Sequence, residues 1–150
     1  MRVYVAGRFS DYERVRAVID VALAAGHSIT RDWTRTDEFD EDGHPFAKPD
    51  VMEQARAAGG DGATVLAGVL SAERLAGIAE EDVEGAGDAD LLIALADRPL
   101  TGAMIEIGAA LRERREVWVY SPWRWTVFWD HPCVTVWLDY DEMLGELGRR

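Results

Sequence analysis

Two carboxylates interrupt apolar patterns, and their placement suggests chemistry. After Ser71, the residues Leu75, Ile78, Ala79, Val83 and Ala86 recur at helical spacing. Asp82 falls inside that stripe, seven residues after Leu75, four after Ile78 and three after Ala79. Glu80, Glu81 and Glu84 turn towards solvent instead. A carboxylate on a buried face costs desolvation energy unless it is paired or used. In GAMIEIGAAL (102–111), Glu106 is the one charged residue. Gly102, Ala103 and Gly108 are small there and let backbone or ligand come close. The positive end of the helix dipole favours an ionised carboxylate at such a position. Each acid also has a plainer reading. Asp82 could sit at a helix that ends early or accept from a backbone amide, and Glu106 could face solvent with Glu113. Taken together, two carboxyls at the mouth of one crevice suit glycosyl chemistry. One attacks an anomeric carbon to form a glycosyl ester, and the other protonates or holds the leaving group.

The elements that must position these acids alternate. Arg2–Ala6 is a β-rich apolar run ended by Gly7. Ser10 and Glu13 have the spacing of a capping box for a helix carrying Val15, Val18, Ile19 and Ala22, with Gly26 as its stop. His27–Trp33 reads as a second strand. A helix capped by Ser71 runs to about Gly87, followed by a buried strand at Asp90–Ala96. Another helix starts near Gly102 and extends to Arg114. Strands at Glu116–Tyr120 and Val134–Leu138 and a last helix at Asp139–Leu147 complete the chain. Strands that are apolar throughout and separated by helices imply a parallel sheet covered on both faces. The expected fold class is α/β, a flavodoxin-like or Rossmann-like three-layer sandwich. Its five-stranded parallel sheet takes the order 2-1-3-4-5. Ligands of such sheets bind beyond the carboxyl ends of strands 1 and 3, which points to Gly7, Arg8, Phe9 and Ser10 and to the loop feeding Gly102.

Composition narrows the function. The chain has 150 residues, which suggests one domain. Its formal net charge of −12 argues against binding a nucleic acid polymer, which needs clustered Lys and Arg. One cysteine, Cys133, excludes a disulfide framework and a cysteine-based zinc site. The three histidines lack metal-ligand spacing, and the segment from Glu38 opens like a calcium loop but has Pro49 at its twelfth position. No metal or other cofactor is implied. No apolar run is long enough to span a membrane, the start turns polar by Arg8, and a cytoplasmic location is the default expectation. P-loop, dinucleotide and nucleophile-elbow motifs are missing. The stretch from Thr34 to Gly62 is acidic, with prolines and glycines, and reads as a long loop with a short helix at MEQARAA. Ala63–Leu70 is apolar and ambiguous.

Three segments resemble the nucleoside 2-deoxyribosyltransferase-like superfamily, which includes the 2′-deoxynucleoside 5′-phosphate N-hydrolases. They are VYVAGRFSD, IAEEDVEGAGDADLLIAL and GAMIEIGAAL, in the family's order and over roughly a third of the chain. The resemblance implies that Glu106 attacks C1′ of a nucleoside or nucleotide. Asp82 would then meet the base and assist its protonation, and Tyr4 would orient the nucleophile. Arg8 and Ser10 could hold a 5′-phosphate, although Ser10 is equally a plain cap. It also implies a homodimer or higher homo-oligomer. The chain departs from the transferases, which carry an acid six residues before the nucleophile. Leu100 stands there, Asp97 is three residues too early, and the chain has no Asn to lend to a neighbouring subunit. These losses favour hydrolysis over transfer to a second base. Two rival readings remain: a non-catalytic nucleotide-binding module on the same fold, and a hydrolase of NAD or a cyclic nucleotide.

Five tryptophans, Trp118, Trp123, Trp125, Trp129 and Trp137, crowd into one stretch with Tyr120 and Phe128. Aromatic faces accept flat heterocycles, but a core edge or subunit interface is the favoured reading.

Overall fold

The computed structural model describes residues 1–34, 71–123 and 126–150, the side chain of Phe9 excepted. The stretch 35–62, where a long loop and a short helix are expected, the apolar run at 63–70 and Trp125 lie outside the described residues. The elements are β1 (Arg2–Ala6), α1 (Tyr12–Ala24), β2 (Ser28–Ile29), α2 (Ala72–Asp88), β3 (Leu91–Leu95), α3 (Gly102–Arg112), β4 (Glu116–Tyr120), β5 (Val134–Trp137) and α4 (Tyr140–Leu147). Every strand pair is parallel and the order is β2-β1-β3-β4-β5, as the sequence predicts.

The central strand explains the layering. LLIAL of β3 is buried at every position, which requires helices on both faces. Alternation along β1 then decides what each helix meets. Val3 and Val5 point to one face and pack with Val15, Val18, Ile19 and Ala22 of α1 and with Met143 and Leu147 of α4. Tyr4 and Ala6 point to the other face and pack with Ala86 of α2 and with Ala103, Ile107 and Ala110 of α3. Tyr4 therefore lies under the two helices that carry Asp82 and Glu106. On α2, Asp82 stands three and four residues before buried Gly85 and Ala86; on α3, Glu106 stands three after buried Ala103 and four before buried Ala110. Both acids project from the sheet-facing sides of their helices.

Several local expectations are met. Ser71 caps α2 by accepting from the Arg74 amide at 3.2 Å. Gly26 ends α1 with φ +83°, a conformation that favours glycine. The Gly26 amide donates to the Leu23 carbonyl and the His27 amide to the Ala22 carbonyl, which closes the helix end.

Three expectations need correction. The capping box at Ser10 does not form. A 3-10 turn occupies Phe9–Asp11, α1 begins at Tyr12, and the side chain of its cap residue Asp11 accepts no capping hydrogen bond. That carboxylate is instead taken by Arg8, with contacts of 2.7 and 2.9 Å. The second strand covers Ser28–Ile29, far less than His27–Trp33. As an edge strand it has one partner, and Trp33 turns back so that its indole N–H donates to the Val5 carbonyl at 3.0 Å. The buried face of α2 is also narrower than its apolar stripe. Ala79 and Val83 are exposed, and burial concentrates at Gly85 and Ala86.

Gly85 marks a close approach of α2 to the sheet. A Cβ there would lie 2.7 Å from Arg31 Cβ and 3.3 Å from Tyr4 Cε2. In an open helix, glycine to alanine stabilises by about 0.5–1 kcal/mol. Here Gly85→Ala should instead destabilise by roughly 1–3 kcal/mol through overpacking, read as a lower urea midpoint. A raised midpoint would show that α2 does not press on Tyr4.

Candidate active site

The site begins with Tyr4, whose side chain is fully buried. Its hydroxyl lies within interaction range of the Glu106 carboxyl, at a geometry looser than a well-formed hydrogen bond, and has no other partner among the described residues. Burial pushes the phenol well above its ordinary range, the charges of Glu106 and Asp82 add to that, and Arg31 opposes it. One hydroxyl thus senses both acids and an arginine, so all four residues share one electrostatic neighbourhood.

Glu106 stands in the second turn of α3 and is only partly accessible. Burial pushes its carboxyl up to about 8, the nearby Asp82 charge pushes the same way, and Tyr4 pulls it down. The helix dipole favours the opposite shift, but its influence fades beyond the first turn, and desolvation prevails. Among the described residues, no Arg or Lys pairs with Glu106.

Asp82 is treated differently. Its carboxyl is also raised by burial, but Arg31 holds it back. Arg31 Nε lies 3.5 Å from Asp82 Oδ1, and Arg31 Nη2 lies 2.6 Å from Glu81 Oε2. Glu81, expected in solvent, is therefore half-exposed and paired. Burial without a cation raises Glu106 to about 8, whereas the upward push on Asp82 is opposed by Arg31.

The turn after β1 forms a second cluster. Arg8 binds Asp11 and lies 3.7 Å from Asp97, while Arg14 reaches Asp97 at 3.0 Å. The guanidinium of Arg14 also sits over the Tyr120 and Tyr140 rings, 5.3 and 5.1 Å from their centroids. Two arginines and two aspartates leave this cluster neutral, so an anion at Arg8 must displace a carboxylate. Ser10 is partly buried in the 3-10 turn, and the Phe9 side chain lies outside the described atoms. Gly7 is packed so closely that a Cβ would fall 2.6 Å from Val15 Cγ2, whereas Gly102 faces open space. Leu100, where the transferases place an acid, is a buried core residue.

The tryptophans divide. Trp118 and Trp129 are buried, and Trp137 packs on Trp118 with centroids 5.0 Å apart. Trp123 is 63% exposed and donates its indole N–H to the Asp97 carbonyl. Sequence reasoning missed Arg31. Its signal was a lone arginine just past the carboxyl end of an edge strand, beside the expected crevice. Among the described residues, no group of three His, Cys, Asp or Glu could hold a metal ion, and no helix is long and apolar enough to cross a membrane.

Comparison with solved structures finds the CMP N-glycosidase BcmB of Clostridium botulinum, with a TM-score of 0.54, 14% identity and full coverage of both chains. At that identity the likeness shows the shared fold. No family model matches the chain, and no curated protein matches it.

The raised Glu106 carboxyl links pH to stability. Its ordinary value is 4.5 and its folded value about 8. Below 4.5 the group is neutral whether folded or unfolded, and stability is unaffected. Between 4.5 and about 8 the unfolded chain ionises while the folded one keeps its proton, so stability falls as pH rises and then levels off. Glu106→Gln removes that loss. The variant should match wild type in thermal unfolding near pH 4 and exceed it near pH 9, by on the order of 1–3 kcal/mol. Equal midpoints at both pH values would mean that Glu106 is solvated.

Proposed function

We propose that this chain cleaves the N-glycosidic bond of a nucleoside or nucleotide through a glycosyl ester on Glu106, with water as the favoured acceptor. The observation that carries this reading is the convergence of Glu106, Asp82 and the Tyr4 hydroxyl beneath α2 and α3. The shared fold with a CMP N-glycosidase supports it, as does the resemblance of the segments around Tyr4, Asp82 and Glu106.

The ionised Glu106 carboxylate attacks C1′, and the C–N bond electrons leave on the base. Protonated Asp82 gives its proton to the departing nitrogen. Water then attacks C1′ of the ester, Asp82 takes a proton from it, and the Glu106 carboxylate departs. The products are free base and free sugar or sugar phosphate. Tyr4 steadies the Glu106 carboxyl in both steps. Gly7, Arg8, Phe9, Ser10 and Gly102 border the substrate, and a 5′-phosphate engages Arg8 by replacing Asp11 or Asp97. The reaction uses no cofactor, and the resemblance adds a homo-oligomeric assembly.

The raised Glu106 carboxyl favours a second assignment, with roles exchanged: Glu106 as the acid and Asp82 as the ionised carboxylate beside C1′. Two measurements separate them. With Glu106 as nucleophile, the rate should rise with pH through about 8; with Glu106 as acid, it should fall over the same range.

Nucleosides, nucleotides and NAD should be screened for release of free base. With a released substrate in hand, Glu106→Gln should cut the rate by at least about 10³-fold. Intact mass and peptide mapping after incubation with a 2-fluorinated nucleoside should place a sugar adduct on Glu106. An adduct on Asp82 supports the exchanged roles. Nucleotide binding that is equal in wild type and Glu106→Gln, with no base released by either, would make the chain a binding module.

A further inference from the structure

We infer that Arg31 is the positioning residue of the site: its guanidinium clamps Asp82 on the inner face of α2 and fixes the direction of that carboxyl. This rests on the reading of Glu106 and Asp82 as the reacting acids.

Arg31 follows the short edge strand β2, and its segment is fastened to α2 at three points. Thr30 Oγ1 donates to the Gly85 carbonyl at 2.8 Å. Arg31 Cβ lies against Gly85, where any side chain would collide with it. The guanidinium spans two consecutive carboxylates, with Nη2 on Glu81 at 2.6 Å and Nε on Asp82 at 3.5 Å. The stem of Arg31 is thus fixed by backbone packing and its head by two anions. A rigid arginine fork sets direction as well as charge.

The placement is asymmetric. Asp82 is faced by Arg31 from beyond β2, by Glu81 on its own helix, by Glu106 from α3 and by Tyr4 from β1. Arg74 reaches Glu81 at 3.3 Å and makes no contact with Asp82. Arg31 is therefore the one cation among the described residues that touches either reacting acid. A single cation beside one of two neighbouring carboxyls lowers the cost of charging that one and sets where it points. Removing it leaves Asp82 facing a like charge in a desolvated place, with nothing to orient its carboxyl.

The test is a titration of the Asp82 side-chain carboxyl by ¹³C NMR in the whole, unliganded protein. It compares wild type, Arg31→Met, Arg31→Lys and Arg74→Met. Arg31→Met should raise the Asp82 midpoint by about one pH unit or more, and Arg31→Lys should restore most of the shift. Arg74→Met should leave the midpoint where wild type has it. Should the Met variant fail to fold, Arg31→Gln keeps a polar stem without the charge and carries the same expectation. An unmoved midpoint, or equal shifts in the Arg31 and Arg74 variants, overturns the assignment. On a substrate that releases base, Arg31→Met should lower kcat by about 10-fold with little change in KM, with partial recovery in Arg31→Lys. A KM effect alone would make Arg31 a substrate contact and overturn the positioning role. The titration needs no turnover. A shifted midpoint in a protein that cleaves nothing would uphold the Arg31–Asp82 clamp while refuting the proposed reaction.

Discussion

Two carboxyl groups share a place that has too little water for both to ionise freely. Everything else at the site is arranged around that constraint. Glu106 bears it through desolvation and its neighbour's charge, and Asp82 is relieved by Arg31. The sheet creates the problem. Alternation along β1 sends Tyr4 to the face covered by α2 and α3, and those helices turn one acid each towards it. Gly85 lets α2 settle onto the Tyr4 ring. A wider helix contact would give water more room and the acids ordinary behaviour.

The neighbouring cluster shows the opposite solution. Arg8, Arg14, Asp11 and Asp97 neutralise one another at the ends of β1 and β3. Close, compensated pairs of this kind hold loops in place. The acid pair differs, because Arg31 reaches Asp82 while burial raises Glu106 with no cation pulling it back. A carboxyl perturbed by burial beside a second acid is where reactivity is expected.

The sheet order and most helices were legible because burial on both faces leaves strong apolar runs, as in LLIAL and EVWVY. Asp82 and Glu106 were legible because a charge inside an apolar stripe breaks a pattern. What failed was local chemistry decided by distant partners. The Ser10 cap was lost because Arg8 engages Asp11 in a 3-10 turn. The second strand was overread because an edge strand has one neighbour to enforce it. The dipole argument at Glu106 named one influence, which desolvation by residues far along the chain outweighs. Arg31 was easily overlooked for the same reason, as its partner lies 51 residues away.

The central claim is that Glu106 and Asp82 are electrostatically coupled. The most direct measurement is the ¹³C NMR titration of the Glu106 carboxyl in wild type and in Asp82→Asn. Coupling requires a midpoint near 8 in wild type and a clear fall when Asp82 loses its charge. A Glu106 midpoint near 4.5 that ignores the substitution would contradict the account.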